Sequence, residues 1–274
     1  DALRDVDHLV IAPSGALLSL PFGVLVASDP AELPNEAYAQ ADWLDGRHAI
    51  SVARSIKSFA DARAFLKPST APRAFLGVAD PGFTGAAAPG PQSLTDACRS
   101  DRPLSADQVR SLTRLPGSRD EVEAVAQAIG AGGADLLLGQ AATEPALRAL
   151  PLEDGLLDAR EIANLSLDAD LVVLSACNTG AGAGGFGGQS LSGLAGAFSY
   201  AGARALIVSH WPVDSQATVR LMTAAFSDAE ALRAPADALR RASSQLRLTP
   251  ATAHPFFWAP FTLMGDGRPG DAAA

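Results

Sequence analysis

Residues 169–188 read ADLVVLSACNTGAGAGGFGG: an apolar run, one of the chain's two cysteines, then glycine. A short apolar run such as residues 171–174, bounded by polar and glycine-rich sequence, suits a strand buried on both faces of a parallel sheet. Open α/β sheets bind ligands just outside the carboxyl ends of such strands. That is where the pattern puts Cys177. Cysteine is also a small hydrophobe, commonly buried for packing alone, so the placement does not by itself make Cys177 a nucleophile.

Working outward, the flanking sequence alternates strands and helices. HAISVA at 48–53 and RAFLGVAD at 73–80 read as strands, with a helix at 55–66 between them. Residues 8–26 hold two apolar runs around Pro13-Ser14-Gly15, a turn signal that predicts a hairpin. Residues 81–116 are rich in Pro, Gly, Ala and Ser and read as a long surface excursion. SRDEVEAVAQAIGA opens on Ser118 and Glu121, a capping-box pattern, and Gly130 suits the end of that helix. A strand at 134–139 and short helices at 143–150 and 158–164 follow. After the Cys177 strand come a helix near 190–201, the strand ARALIVSH at 203–210, and helices near 214–228 and 236–248. FFWAPFTLMG closes the pattern as an edge strand. Such alternation implies a mostly parallel sheet between two helical layers. The two short helices at 143–150 and 158–164 have no strand between them, which breaks the rule.

Composition narrows the function classes. At 274 residues and 48% hydrophobic, the chain can bury a sizeable core. A net charge of −9 opposes a nucleic-acid footprint, which needs clustered basic side chains. Two cysteines, Cys98 in a polar stretch and Cys177 at a strand end, make no disulfide framework of the secreted kind. The opening DALRDVDHLVIAPSG has no signal-peptide pattern and no run of eighteen apolar residues occurs. The expectation is a cytoplasmic protein that contacts neither membrane nor nucleic acid. An excess of Arg over Lys with abundant Ala suggests a GC-rich bacterial source. Residues 180–188 lack the spacing of a phosphate loop or dinucleotide fingerprint, and paired zinc-ligand motifs are absent. No metal and no cofactor is expected.

Taken together, HLVIAPSGALLSLPFGVL, RHAISVARSIKS, FLGVADPGF, LPGSRDEVEAVAQAIGA, DGLLDAREIANLSLDADLVVLSACNTG, GLAGAFSYAGARALIVSHWPVDSQAT and HPFFWAPFTLMGDG resemble the CHAT family in order and nearly in full. These are caspase-like, separase-related cysteine peptidase domains, often fused to tetratricopeptide repeats. The resemblance implies a caspase-like three-layer α/β sandwich over 1–266, with a mostly parallel central sheet, N-terminal antiparallel strands, and a tail at 267–274. It makes Cys177 the nucleophile, the partner a protein substrate or regulator, and an upstream repeat region part of the full-length protein.

A thiol with a pKa near 8.5 is only about a few per cent thiolate at pH 7, so acyl transfer needs an imidazole nearby. The family supplies it from a histidine-glycine motif ending the strand before the cysteine strand. No such motif is present; its place falls near residues 150–155, where the alternation is also broken. Of the four histidines, His8 and His48 open their strands, which in a parallel sheet sends them to the rim opposite Cys177. The position of His254 is open. His210 ends ARALIVSH on the same rim as Cys177 and is the one geometric candidate for a fallback base. By resemblance, Trp211 floors the specificity pocket and Asp214 selects a basic side chain; alternatively Trp211 is core and Asp214 caps the helix that begins at Ser215. Two functions stay open. One is a cysteine endopeptidase whose base strand is lost or unrecorded; the other is a non-catalytic CHAT pseudoenzyme that binds a partner.

Overall fold

The computed structural model describes residues 3–28, 37–65, 69–71, 75–80, 116–142, 162–165, 167–174, 196–211, 214–227 and 229–268. In chain order these form β1 (His8–Ile11), α1 (Leu44–Arg47), β2 (Ala49–Val52), α2 (Ile56–Phe65), β3 (Gly77–Ala79), α3 (Pro116–Ala128) and β4 (Leu136–Leu138). Then come β5 (Ala169–Leu174), β6 (Ala203–Ser209), α4 (Ser215–Ala225), α5 (Pro235–Arg247), α6 (Pro255–Trp258) and β7 (Phe261–Gly265).

The run that opened the sequence is β5, paired in parallel with β6 from Ala169↔Ala203 to Leu174↔Val208. All seven residues of β6 are buried, which its unbroken ARALIVS pattern required. The five-stranded sheet runs β1-β2-β7-β6-β5. Three of its four junctions are parallel, and β6–β7 is antiparallel. Helices cover both faces. Ala205, Ile207, Phe261 and Leu263 pack with Leu221, Met222, Leu239 and Trp258 from α4, α5 and α6 on one face. Leu206, Val208, Val52 and Met264 face Phe22 and Phe198 on the other. Each fully buried aliphatic or aromatic side chain contributes about 1.5–3 kcal/mol. This is the caspase-like α/β architecture with a mostly parallel sheet, and its N-terminal strands run antiparallel to β5 and β6.

Four local expectations are corrected. Residues 8–26 are not a hairpin: after β1 the chain forms 3-10 turns at Gly15–Ser19 and Phe22–Val24. Pro21 lacks a ladder donor, and β1 pairs in parallel with β2 instead. FTLMG is no edge strand, because β7 sits between β2 and β6. Helix α3 begins at Pro116, so Ser118 lies inside its first turn and its hydroxyl accepts the Asp80 N–H at 3.0 Å. The fourth, the rim on which His8 and His48 lie, follows from strand direction and is taken up below. The helix end does fall where expected. Gly130 adopts φ +71° and Ala131 N–H reaches Ala126 O at 2.8 Å.

Strands β3 and β4 pair in parallel as a separate two-stranded sheet under α3. A Cβ on Gly77 would lie 2.3 Å from Val122 Cγ1, so only glycine lets α3 sit this close on β3. Among the described residues β5 ends its sheet. Val173 on β5 is 36% exposed and Val78 on β3 37%, unusual for valines in the middle of strands. Ser69 and Thr70 close the start of β5, their hydroxyls donating to Asp168 O at 2.7 Å and Asp168 Oδ2 at 2.8 Å. The excursion at 81–115, the helix at 143–150 and most of the one at 158–164 lie outside the described residues.

Candidate active site

Strand direction decides which side chains share a rim. Val172, Leu206, Met264 and Val52 lie level across the sheet. From that line β5 and β6 run one way while β7, β2 and β1 run the other. The carboxyl ends of β5 and β6 therefore meet the starts of β7, β2 and β1 at one rim. This overturns the expectation for His8 and His48, which lie toward that same rim because β7 reverses direction beside β6. Neither is near β5, however. With strands about 4.8 Å apart, β2 lies about 14 Å away. Both are also engaged locally: His48 Nδ1 donates to Val6 O at 2.5 Å, and His8 Nε2 lies 2.9 Å from Ser51 Oγ. Burial, aided by the Arg268 charge, holds the His8 pKa below its ordinary value.

His210 directly follows β6. Its N–H donates to Pro260 O at 2.8 Å, and its Nε2 lies 2.8 Å from Thr262 Oγ1. Burial lowers its pKa to about 4. Trp211 packs at the border of the main core and donates its indole N–H to Phe256 O at 3.1 Å. Asp214 caps α4: Oδ1 accepts the Ala217 N–H at 2.8 Å, and the Thr218 hydroxyl donates to Asp214 O at 2.9 Å. His254 caps α6, accepting the Phe256 N–H at Nδ1 (3.0 Å), with its ring edge-on to Tyr38 at 4.5 Å. The structure thus brings His210, Trp211 and His254 to one rim. Cys177 and Cys98 lie outside the described residues; β5 is described to Leu174, level with Val208. Sequence reasoning missed Thr262, the partner of His210. Its signal was a lone hydroxyl in an apolar strand, FTLMG.

The family model for the CHAT domain matches residues 1–152 and 149–266. The chain belongs to the CHAT domain family. The two matched stretches overlap at 149–152, beside the place where the strand alternation breaks. The chain is also 36% identical over 116 residues to mouse (Mus musculus) tetratricopeptide repeat protein 28, covering 42% of this chain and 5% of that protein. It therefore spans a small fraction of that relative's length. No helix of the CHAT domain is long and apolar enough to cross a membrane, and no group of three His, Cys, Asp or Glu could hold a metal ion, both among the described residues.

Burial of His210 has a measurable consequence for this CHAT domain. A folded pKa near 4 against about 6.5 unfolded means the unfolded chain binds the extra proton between those values. The stabilisation from a neutral His210 is present above pH 6.5 and is lost as pH falls toward 4, by about 3 kcal/mol. His210→Gln removes this titration. The stability gap between wild type and variant, from urea midpoints at pH 7 and pH 4, is expected to shift by that amount against the wild type on acidification. An unchanged gap would show that the imidazole is solvated.

Proposed function

We propose that this CHAT domain, residues 1–266 with a tail at 267–274, is a caspase-like cysteine endopeptidase acting on a protein partner through Cys177. Within the tail, Gly267 O accepts the Ala236 N–H and Arg268 pairs with Asp237, so those two residues still dock on the domain. The observation that carries the reading is the β5–β6 pair. It is parallel, is continuously paired from Leu171↔Ala205 to Leu174↔Val208, and ends at one rim. Cys177 stands three residues beyond Leu174, a span of at most about 11 Å, which supports the rim as the place of the nucleophile. There the thiolate attacks the scissile carbonyl, the leaving amine takes a proton, and water releases the acyl group.

The base is the weak point of the chain as it stands. His210, with a pKa near 4, is neutral but a poor proton acceptor. Trp211 and Asp214 remain proposed pocket residues, each also bonded as a structural residue would be. We assign the base to a strand lost from the sequence near residues 150–155. The overlapping family match and the exposed Val173 and Val78 support that assignment. In the full-length protein an upstream repeat region is the proposed regulatory partner, and the cytoplasm the proposed location.

The test has two parts. Sequencing the gene across codons 150–155 is expected to find additional codons for a His-Gly strand. In the chain carrying them, iodoacetamide labels Cys177 far faster than Cys98 at pH 7. Contiguous codons, with equal and slow labelling of both cysteines, would instead leave a non-catalytic interaction module.

A further inference from the structure

Phe256, in the short helix α6, is 44% exposed at the rim where β5 and β6 end. An exposed apolar side chain is ordinary on its own. Phe256 differs in how firmly its neighbours hold it. Its N–H donates to His254 Nδ1 at 3.0 Å, and its carbonyl accepts the Trp211 indole N–H at 3.1 Å. Both of its backbone polar groups are thus taken by side chains of the same rim. Its ring meets Phe257 edge to face, with centroids 5.2 Å apart at 87°. Phe257 and Trp211 pack in turn against the main core, and His254 stands edge-on to Tyr38, which packs there too.

The rim therefore presents a large apolar side chain on a braced base. Removing such a ring from water is favourable. Little ordering opposes it, because a phenylalanine has only two side-chain torsions and this one has its backbone already fixed. Rigid aromatic anchors of this kind carry much of the energy at recognition surfaces. The position favours one occupant. Pairing of β5 with β6 reaches Leu174↔Val208. Trp211 stands three residues past Val208, as Cys177 stands three past Leu174.

We propose that Phe256 binds a large apolar side chain of the protein substrate, one that flanks the scissile bond; this rests on the reading of Cys177 as the nucleophile. Phe256 makes the contact, and Trp211 and His254 are its positioning residues. A basic side chain that met Asp214 would be a different residue of the same substrate.

Titration of the purified chain with three blocked tripeptides, acetyl-Ala-Phe-Ala-amide and its Lys- and Ala-centred counterparts, followed by amide NMR, tests this. The Phe peptide is expected to saturate and to shift the Phe256 amide and the Trp211 indole, with the other two at least tenfold weaker. Phe256→Ala is expected to weaken the Phe peptide at least tenfold at an unchanged urea midpoint, because the ring is exposed, and Phe256→Leu to keep most of the binding. His254→Ala lowers the ratio of Phe-peptide to Ala-peptide affinity, and His254→Asn, which keeps an acceptor for the Phe256 N–H, restores it. The Phe peptide, and not the Ala peptide, slows iodoacetamide labelling of Cys177. Absence of saturation, equal affinity for the three peptides, an unaltered Phe256→Ala, or Phe256-dependent binding that leaves Cys177 labelling unchanged would each overturn the assignment. So would self-association of the free chain that Phe256→Ala abolishes. The peptidase reading fails on a different readout, equal and slow labelling of both cysteines in the free chain, so the two can fall separately.

Discussion

Cys177→Ala, made in a chain that carries the proposed His-Gly strand near residues 150–155, is expected to lower peptide turnover by on the order of a millionfold. On the proposed peptidase reading, the present chain, with Cys177 but without that base, is expected to fall by a comparable factor. The reason is cooperative. A thiol near its ordinary pKa supplies little thiolate at neutral pH, and even a thiolate cannot protonate the leaving amine, so nucleophile and base act as one unit. Removing either costs nearly what removing both costs. Initial rates on a fluorogenic peptide library, compared among the strand-complete chain, its Cys177→Ala variant and the present chain, measure this. Substantial turnover by the present chain would sink the argument and would return His210 to consideration, with an acid limb near pH 4 rather than near 6.5 as its signature.

The second large effect is on stability. Arg247 and Asp45 form an ion pair of 2.7 Å with side chains 8% and 13% exposed. The guanidinium also lies over the Trp258 ring at 4.6 Å and donates to Ser244 Oγ at 2.7 Å. Burial pushes the Asp45 carboxyl up to about 6, outweighing the attraction of Arg247. Arg247→Met keeps most of the stem's packing but leaves a buried carboxylate without its partner, and is expected to cost about 3–5 kcal/mol. The sign with pH follows. A carboxyl whose folded pKa is raised binds its proton more tightly in the folded chain, so its ionisation weakens the fold as pH rises. Urea denaturation is therefore expected to show a larger loss at pH 8 than at pH 5. Asp45→Leu/Arg247→Met recovers most of the difference, because the uncompensated charge is gone. A single variant within about 1 kcal/mol of wild type at both pH values would show that water reaches Asp45.

Much of this was legible in the residues because the physics was local. An unbroken apolar ARALIVS can be satisfied only by burial on both faces, and β6 is buried throughout. Asp214 before Ser215 reads as an N-cap, and Gly130 after a periodic helix reads as its left-handed end, because each depends on a backbone within a few residues. A strand was also expected between 143–150 and 158–164, where the alternation breaks, and that stretch lies outside the described residues.

Which strand pairs with which was decided only by the tertiary structure. FTLMG reads alike at an edge and in the centre, since β preference measures the neighbours that the fold supplies. Its place between β2 and β6, antiparallel to the latter, reverses half the sheet and brings His8 and His48 to the rim assigned to Cys177. Likewise the single ladder pair Val52↔Met264, and the Thr262 hydroxyl set against His210, join residues more than forty positions apart. No local pattern encodes such meetings, because each results from packing a whole layer of helices against a whole sheet.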